Sequence, residues 1–141
     1  LVKVWNVERS LETHMIHVSA HPWSLEWNHD GQILGCVTKD KSLYLIDPRV
    51  KDKGVWIQSQ MRPQKSLKMK WLGDTGQFVI LGSNSDGSGR SIKIYDMRSL
   101  LQGPVLDRKL DNHNYGADIH YDETFKLLFV LNRGQTFCQY F

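Results

Sequence analysis

Four five-residue stretches of this chain share one pattern, and that repetition constrains the fold more than any other feature. They are Val2-Lys3-Val4-Trp5-Asn6, Leu43-Tyr44-Leu45-Ile46-Asp47, Ile92-Lys93-Ile94-Tyr95-Asp96 and Phe137-Cys138-Gln139-Tyr140-Phe141. The first three place apolar residues at positions one, three and four and end on Asn or Asp. The fourth keeps the apolar residues at positions one and four. The fourth-position residues, Trp5, Ile46, Tyr95 and Tyr140, lie 41, 49 and 45 residues apart. A period of about 40–50 residues built from short β-type runs is the signature of β-propeller blades. Function in such a repeat belongs on a surface rather than in a pocket.

The strand pattern is clearest in the second unit. Ser24-Leu25-Glu26-Trp27 alternates, and His29-Asp30-Gly31 supplies turn chemistry. Ile33 to Thr38 is a nearly continuous apolar run, as expected of a strand covered on both faces. Lys39-Asp40-Lys41 turns the chain into Leu43–Asp47, Pro48 breaks that strand, and Val55–Gln58 is the outer fourth one. The third unit repeats the order with Leu67–Trp71, Phe78–Gly82, Ile92–Asp96 and Pro104–Leu110. A polar, glycine-rich loop, Ser83 to Arg90, intervenes. Ala117–Tyr121, Leu127–Leu131 and Phe137–Phe141 start another unit, and Val2–Asn6 with Met15–Ser19 end an earlier one. No amphipathic helical stretch survives the Gly, Pro and Asn punctuation.

The fold class is therefore all-β, a partial propeller array with units at 1–22, 23–60, 61–112 and 113–141. A blade takes about 40–45 residues and a ring about 4–8 blades, so 141 residues hold about three. The chain starts and stops inside repeat units, lacks an initiator Met, and has neither a signal-peptide pattern nor an apolar run near ~18 residues. These features predict a segment of a longer intracellular protein. A net charge of +3 selects no partner class. Cys36 and Cys138 form no framework or metal motif, and a reducing cytoplasm is the simplest setting.

At Val37-Thr38-Lys39-Asp40-Lys41-Ser42-Leu43-Tyr44-Leu45-Ile46-Asp47 the chain resembles the core of a WD repeat. In that family a turn Asp ahead of the third strand accepts hydrogen bonds that pin the blade, and Asp40 occupies this place. Ile46 replaces the usual Trp of the signature dipeptide, whereas Trp5-Asn6 and Tyr95-Asp96 match better. Gly134 stands where the last unit would carry its turn Asp. More specifically, Lys39-Asp40-Lys41 leading to Ile46-Asp47-Pro48-Arg49 resembles coronin, an actin-binding WD-repeat family. Trp27-Asn28-His29-Asp30-Gly31, Met61-Arg62-Pro63 and the long polar loop before Ile92 extend the resemblance over nearly the whole chain, in register.

That resemblance implies a seven-bladed domain, a noncatalytic role, and filamentous actin as partner in a cytoplasmic, cytoskeleton-associated setting. Other cytoskeletal proteins are compatible partners, membrane contact would be peripheral at most, and nucleic acid is not expected. The family's actin-contacting arginine belongs to the start of the propeller and has no counterpart to carry over here. The alternative is a generic WD-repeat scaffold assembling a complex unrelated to actin.

Seven basic residues and one acid, Asp52, lie between Arg49 and Lys70. Aligning Trp27, Trp71 and Tyr121 splits this cluster. The alignment puts Glu26, Lys70 and His120 at one equivalent position and Ser24, Lys68 and Asp118 at another. First strands of adjacent blades lie side by side, so Lys70 is expected to pair with Glu26 and Lys68 with Asp118. A poorly solvated ammonium is tolerated only when paired. Arg49, Lys51, Lys53, Arg62 and Lys65 remain as the candidate partner-binding patch.

Other chemistries lack support. His14, His17 and His21 would share a face only on a helix, and no Cys or carboxylate completes a metal set. Gly82 to Arg90 lacks the spacing and following helix of a phosphate loop. No G-x-S-x-G occurs, and Asp30, Asp47 and Asp96 recur at equivalent turns or strand ends as architecture. No catalytic residue, metal or cofactor is expected.

Overall fold

A computed structural model describes residues 1–50, 55–57, 64–84, 86–113, 116–132 and 138–140, with backbone alone at 55–57, 64–65 and 138–140. Four antiparallel sheets follow one another along the chain. The first pairs β1 (Val2–Asn6) with β2 (Leu11–Ile16). The second runs in order β3 (Pro22–Trp27), β4 (Leu34–Thr38), β5 (Leu43–Ile46) and β6 (Val55–Ile57). The third contains β7 (Gln64–Trp71), β8 (Gln77–Asn84), β9 (Arg90–Asp96) and β10 (Leu106–Asp111). The fourth contains β11 (Ala117–Asp122), β12 (Leu127–Asn132) and β13 (Cys138–Tyr140). The sheets form an open array, the partial propeller that the repeat predicts.

Strand alternation explains the packing. On β4, Leu34 and Cys36 point toward the first sheet, joining Val2, Tyr44, Ile46, Ile16 and Val18. Val37, one step out of phase, points the other way with Leu43 and Leu45, against Leu67, Met69, Trp71, Phe78 and Ile80 of the third sheet. On β8 the same rule sends Phe78 and Ile80 to the second sheet, and Val79 and Leu81 to Leu128 and Val130 of the fourth. Both phases are buried, which is why these strands read as continuous apolar runs. Gly35 is a point of close approach in this packing. A Cβ there would collide with the Met69 thioether, so the sheets approach across a missing side chain.

Two local readings are corrected. The second strand is Leu11–Ile16, not Met15–Ser19. Val7–Ser10 forms a tight hairpin turn: Asn6 Oδ1 accepts from Arg9 N at 2.9 Å and Ser10 takes φ 50°. This strand carries few buried residues, so apolar patterning understated it. The polar loop is also shorter than read, because β8 continues to Asn84 and β9 begins at Arg90. Two single 3₁₀ turns, Gly73–Thr75 and Leu100–Gln102, are the helical elements among the described residues.

Candidate functional site

Three sets of polar contacts organise the turns, seams and strand ends of the described sheets. The first is the Asp40 turn. Thr38 and Ser42 face each other across it, with Thr38 N donating to Ser42 O at 3.0 Å, and Lys41 takes φ 69°. Asp40 Oδ1 accepts from Thr38 Oγ1 at 2.5 Å and from Ser42 N at 3.3 Å, while Oδ2 accepts from Ser19 Oγ. Tyr44 OH donates to Ser19 Oγ at 2.7 Å and carries the network back into β5. Burial works to raise the Asp40 carboxyl, but the hydrogen bonds from Ser19, Thr38 and Ser42 outweigh it and hold it below its ordinary value. The turn Asp thus pins its sheet as the WD-repeat resemblance implies.

The second set runs between sheets. Lys70 Nζ bridges to Glu26 Oε1, and Lys68 Nζ lies 3.2 Å from Asp118 Oδ1. Trp71 Nε1 donates to Glu26 O at 3.1 Å and Met69 N to Ser24 Oγ at 3.1 Å. The first strands β3, β7 and β11 are therefore stitched side by side, and both lysines are withdrawn from a free basic patch. A further bridge, His29 Nδ1 to Glu123 Oε1 at 2.7 Å, joins the second and fourth sheets at the rim.

The third set is a pair of matching forks. At the end of β5, Arg49 donates to Asp47 through N (3.0 Å), Nε (2.8 Å) and Nη2 (2.7 Å). At the end of β9, Arg98 does the same to Asp96 through N (2.9 Å), Nε (2.8 Å) and Nη2 (2.6 Å). The Arg49 hydrogen bonds hold the Asp47 carboxyl down at about 2, and those of Arg98 lower Asp96 as well. The recurrence of Asp at these strand ends signalled the architecture, while the Arg two residues later went unread.

Of the five candidate patch residues, Arg49 is placed in this fork, with its side chain 61% exposed. Lys51, Lys53 and Arg62 lie outside the described residues, and Lys65 is placed in β7 by its backbone. Cys36 is buried and free, and burial pushes its thiol up to about 11, so it offers no nucleophile near neutrality. No group of three or more His, Cys, Asp or Glu side chains suited to a metal occurs among the described residues. None of the described helices is long and apolar enough to cross a membrane.

The most deeply buried of the charged contacts also had no counterpart in the sequence reading. Arg90 is fully buried at the start of β9 and pairs through Nε (3.0 Å) and Nη2 with Asp111 at the end of β10. Its Nη1 finds no hydrogen-bond partner among the described residues. Gly89 precedes it with φ +109°, and a Cβ there would strike the Asp111 carbonyl. A glycine directly before a strand was the one available signal.

No protein-family model matches the chain. Human coronin-7 is 29% identical over 115 residues, covering 77% of this chain and 12% of that protein. Human coronin-2A is 24% identical over 147 residues, covering 99% of this chain and 27% of that protein. The chain thus spans about an eighth to a quarter of the length of these relatives. Among solved structures, the WD40 domain of Toxoplasma gondii coronin superimposes with a TM-score of 0.83 at 27% identity, over 96% of this chain and 35% of that one. Along nearly its whole length, in sequence and in backbone, this chain is similar to the WD-repeat propeller of the coronins.

Proposed function

We propose that this chain is part of a seven-bladed, noncatalytic coronin-like propeller that binds filamentous actin and helps organise it in the cytoplasm. Its units at 1–22, 23–60, 61–112 and 113–141 each contribute to successive blades. The carrying observation is the similarity to coronins over almost the full chain, joined to the backbone match with a coronin WD40 domain. An interaction role also suits the described surface, whose charged side chains serve mainly as ion pairs and turn locks. In this reading Arg49, Lys51, Lys53, Arg62 and Lys65 form a basic landing surface for the acidic filament.

The test is co-sedimentation of the intact polypeptide carrying this chain with actin filaments at low and high salt. A variant with Glu at those five positions is run beside it. Salt-sensitive pelleting that the folded variant loses supports both the function and the patch. Pelleting by both proteins retains actin binding and moves the contact elsewhere. If neither pellets, the actin reading fails and a scaffold role replaces it.

A further inference from the structure

The first strands β3, β7 and β11 lie side by side, so the turns that follow them meet on one face. His29 of the first turn reaches Glu123 of the third at 2.7 Å, and a Cβ on Gly73 of the second would lie 2.8 Å from Glu123 Oε1. The β5–β6 and β9–β10 connections emerge on the same face, as the antiparallel meanders require. Between the second and third sheets this face holds an apolar cavity of about 380 Å³, lined by Ile33, Leu45, Met97, Leu100 and Leu101 among others. Past Ile33 and Met97 it continues into a more polar hollow of about 340 Å³, walled by Asp30 and Asp74. Leu101 stands 97% exposed at the rim. A single exposed leucine is ordinary on a protein surface. Here it borders an apolar groove, the arrangement that marks interaction sites.

The open ends of the array do not account for this exposure. The third sheet is covered on one face by the second and on the other by the fourth. Its β9–β10 connection sits between these neighbours, whereas exposed Trp5 and Met15 belong to the terminal β1–β2 sheet.

Charge selects the occupant. Asp30 and Asp74 stand three residues after the aligned Trp27 and Trp71, at equivalent places in successive turns. Both are exposed, and neither has an ion-pair partner among the described residues. Arg98 is the one Lys or Arg that lines the cavity or the hollow, and its Nε and Nη2 are held by Asp96. Asp47, at the edge of the cavity, is met in the same way by Arg49. Arg49 also feels the charge of Asp30, but it directs its hydrogen bonds to Asp47. With each fork neutral, the charge left along the groove is that of Asp30 and Asp74, and Glu123 extends it beyond Gly73. A cation entering here is attracted without having to break an existing bridge.

We propose that this groove docks a short basic–apolar segment of a partner protein. A large apolar side chain of the segment would seat against Ile33, Met97, Leu100 and Leu101, and a neighbouring Lys or Arg would meet Asp30 and Asp74. The site is independent of the proposed function. It uses none of the five patch residues, and its occupant is cationic where the filament is acidic.

The test pans a random 12-residue peptide library, displayed on phage, against the intact polypeptide. The best peptide is then titrated by fluorescence anisotropy against wild type, Leu101→Ser and Asp74→Lys. The expected result is enrichment of Lys or Arg beside large apolar residues, with affinity falling about fivefold or more in each variant and weakening as salt rises. Both replaced side chains are exposed, so the melting temperature stays in place and the loss reports the surface itself. Enrichment of acidic peptides, absence of enrichment, or binding indifferent to Asp74→Lys or to Leu101→Ser would overturn the proposal. Equilibrium sedimentation supplies a further arm: self-association abolished by Leu101→Ser would assign the groove to a second copy and likewise refute it.

Discussion

The two complete four-stranded sheets share an architecture and close the same turn by different means. In the second sheet the connection between the second and third strands is short. Asp40 collects the Thr38 and Ser19 hydroxyls and the Ser42 amide at its centre. In the third sheet the equivalent connection, from Asn84 to Arg90, is longer and carries no acid in that role. There the lock has moved one strand outward, to Arg90 at the start of β9 and Asp111 at the end of β10. Asn84 Nδ2 donates to Ser88 Oγ at 3.0 Å, and Ser88 N to Asp86 Oδ1 at 2.8 Å, so the loop folds upon itself. A sheet end must satisfy its polar groups, and the residue type that does so is free to change.

The two locks should break very differently. The Asp40 lock is solvent-facing, whereas Arg90 is almost completely buried. In the intact propeller, Asp111→Ala leaves a buried guanidinium without its counter-charge and should cost about 3–5 kcal/mol in denaturant melts. Replacing both partners, Arg90→Met with Asp111→Leu, should recover most of that loss, because the apolar pair also removes the unpartnered Nη1. Equal damage from the single and the double variant would mean that the ion pair itself, not the stranded charge, stabilises this end of the sheet.

Asp40→Ala should cost less, about 1–2 kcal/mol, since the groups it releases are partly reachable by water. Thr38 is the exception, being buried, but its hydroxyl keeps a second acceptor in Ser42 O at 3.1 Å. The pH dependence sharpens the contrast. The Asp40 carboxyl is held below 3.8, its ordinary value, so its contribution is complete above that pH and is lost as the pH falls through the folded value. Acid melts of wild type and Asp40→Ala should therefore differ by a constant amount above pH 3.8 and converge as the pH falls below it. A gap that persists unchanged well below pH 3.8 would show that the carboxylate's charge is not what pins the turn.

The same comparison explains what was readable beforehand. Asp40 was legible because its lock is local: donor and acceptor lie within one turn, so a short motif carries the contact. The strands were legible because both phases of β4, β5 and β8 are buried, which leaves continuous apolar runs in the sequence. Arg90 and Asp111 lie 21 residues apart on two strands, and β10 is largely exposed, so no periodicity linked them. Gly35 was absorbed into an apolar run, because a close approach between sheets leaves no trace except a missing side chain. The forks at Asp47 and Asp96 were half visible, as strand-end acids without their arginines. The patch residues Lys51, Lys53 and Arg62 lie outside the described residues, so the candidate surface rests on its composition.

The inter-sheet lysines provide the smallest and most discriminating effect. They were found by aligning strands rather than by any motif, and the geometry grades them. Lys70 and Glu26 are 29% and 27% exposed, whereas Lys68 and Asp118 are 35% and 41% exposed at 3.2 Å. Less solvent means less screening, but also a larger penalty for whichever partner is left behind. Lys70→Met should therefore destabilise the intact propeller by about 1 kcal/mol, and Lys68→Met by roughly half of that or less. The two bridges join different sheet pairs and share no partner, so the double variant should cost about the sum of the singles. A thermal melt unchanged by Lys70→Met would show that its bridge adds nothing to what the packing and hydrogen bonds at Met69 and Trp71 already supply. The bridges would then be a consequence of the blades lying together rather than a cause.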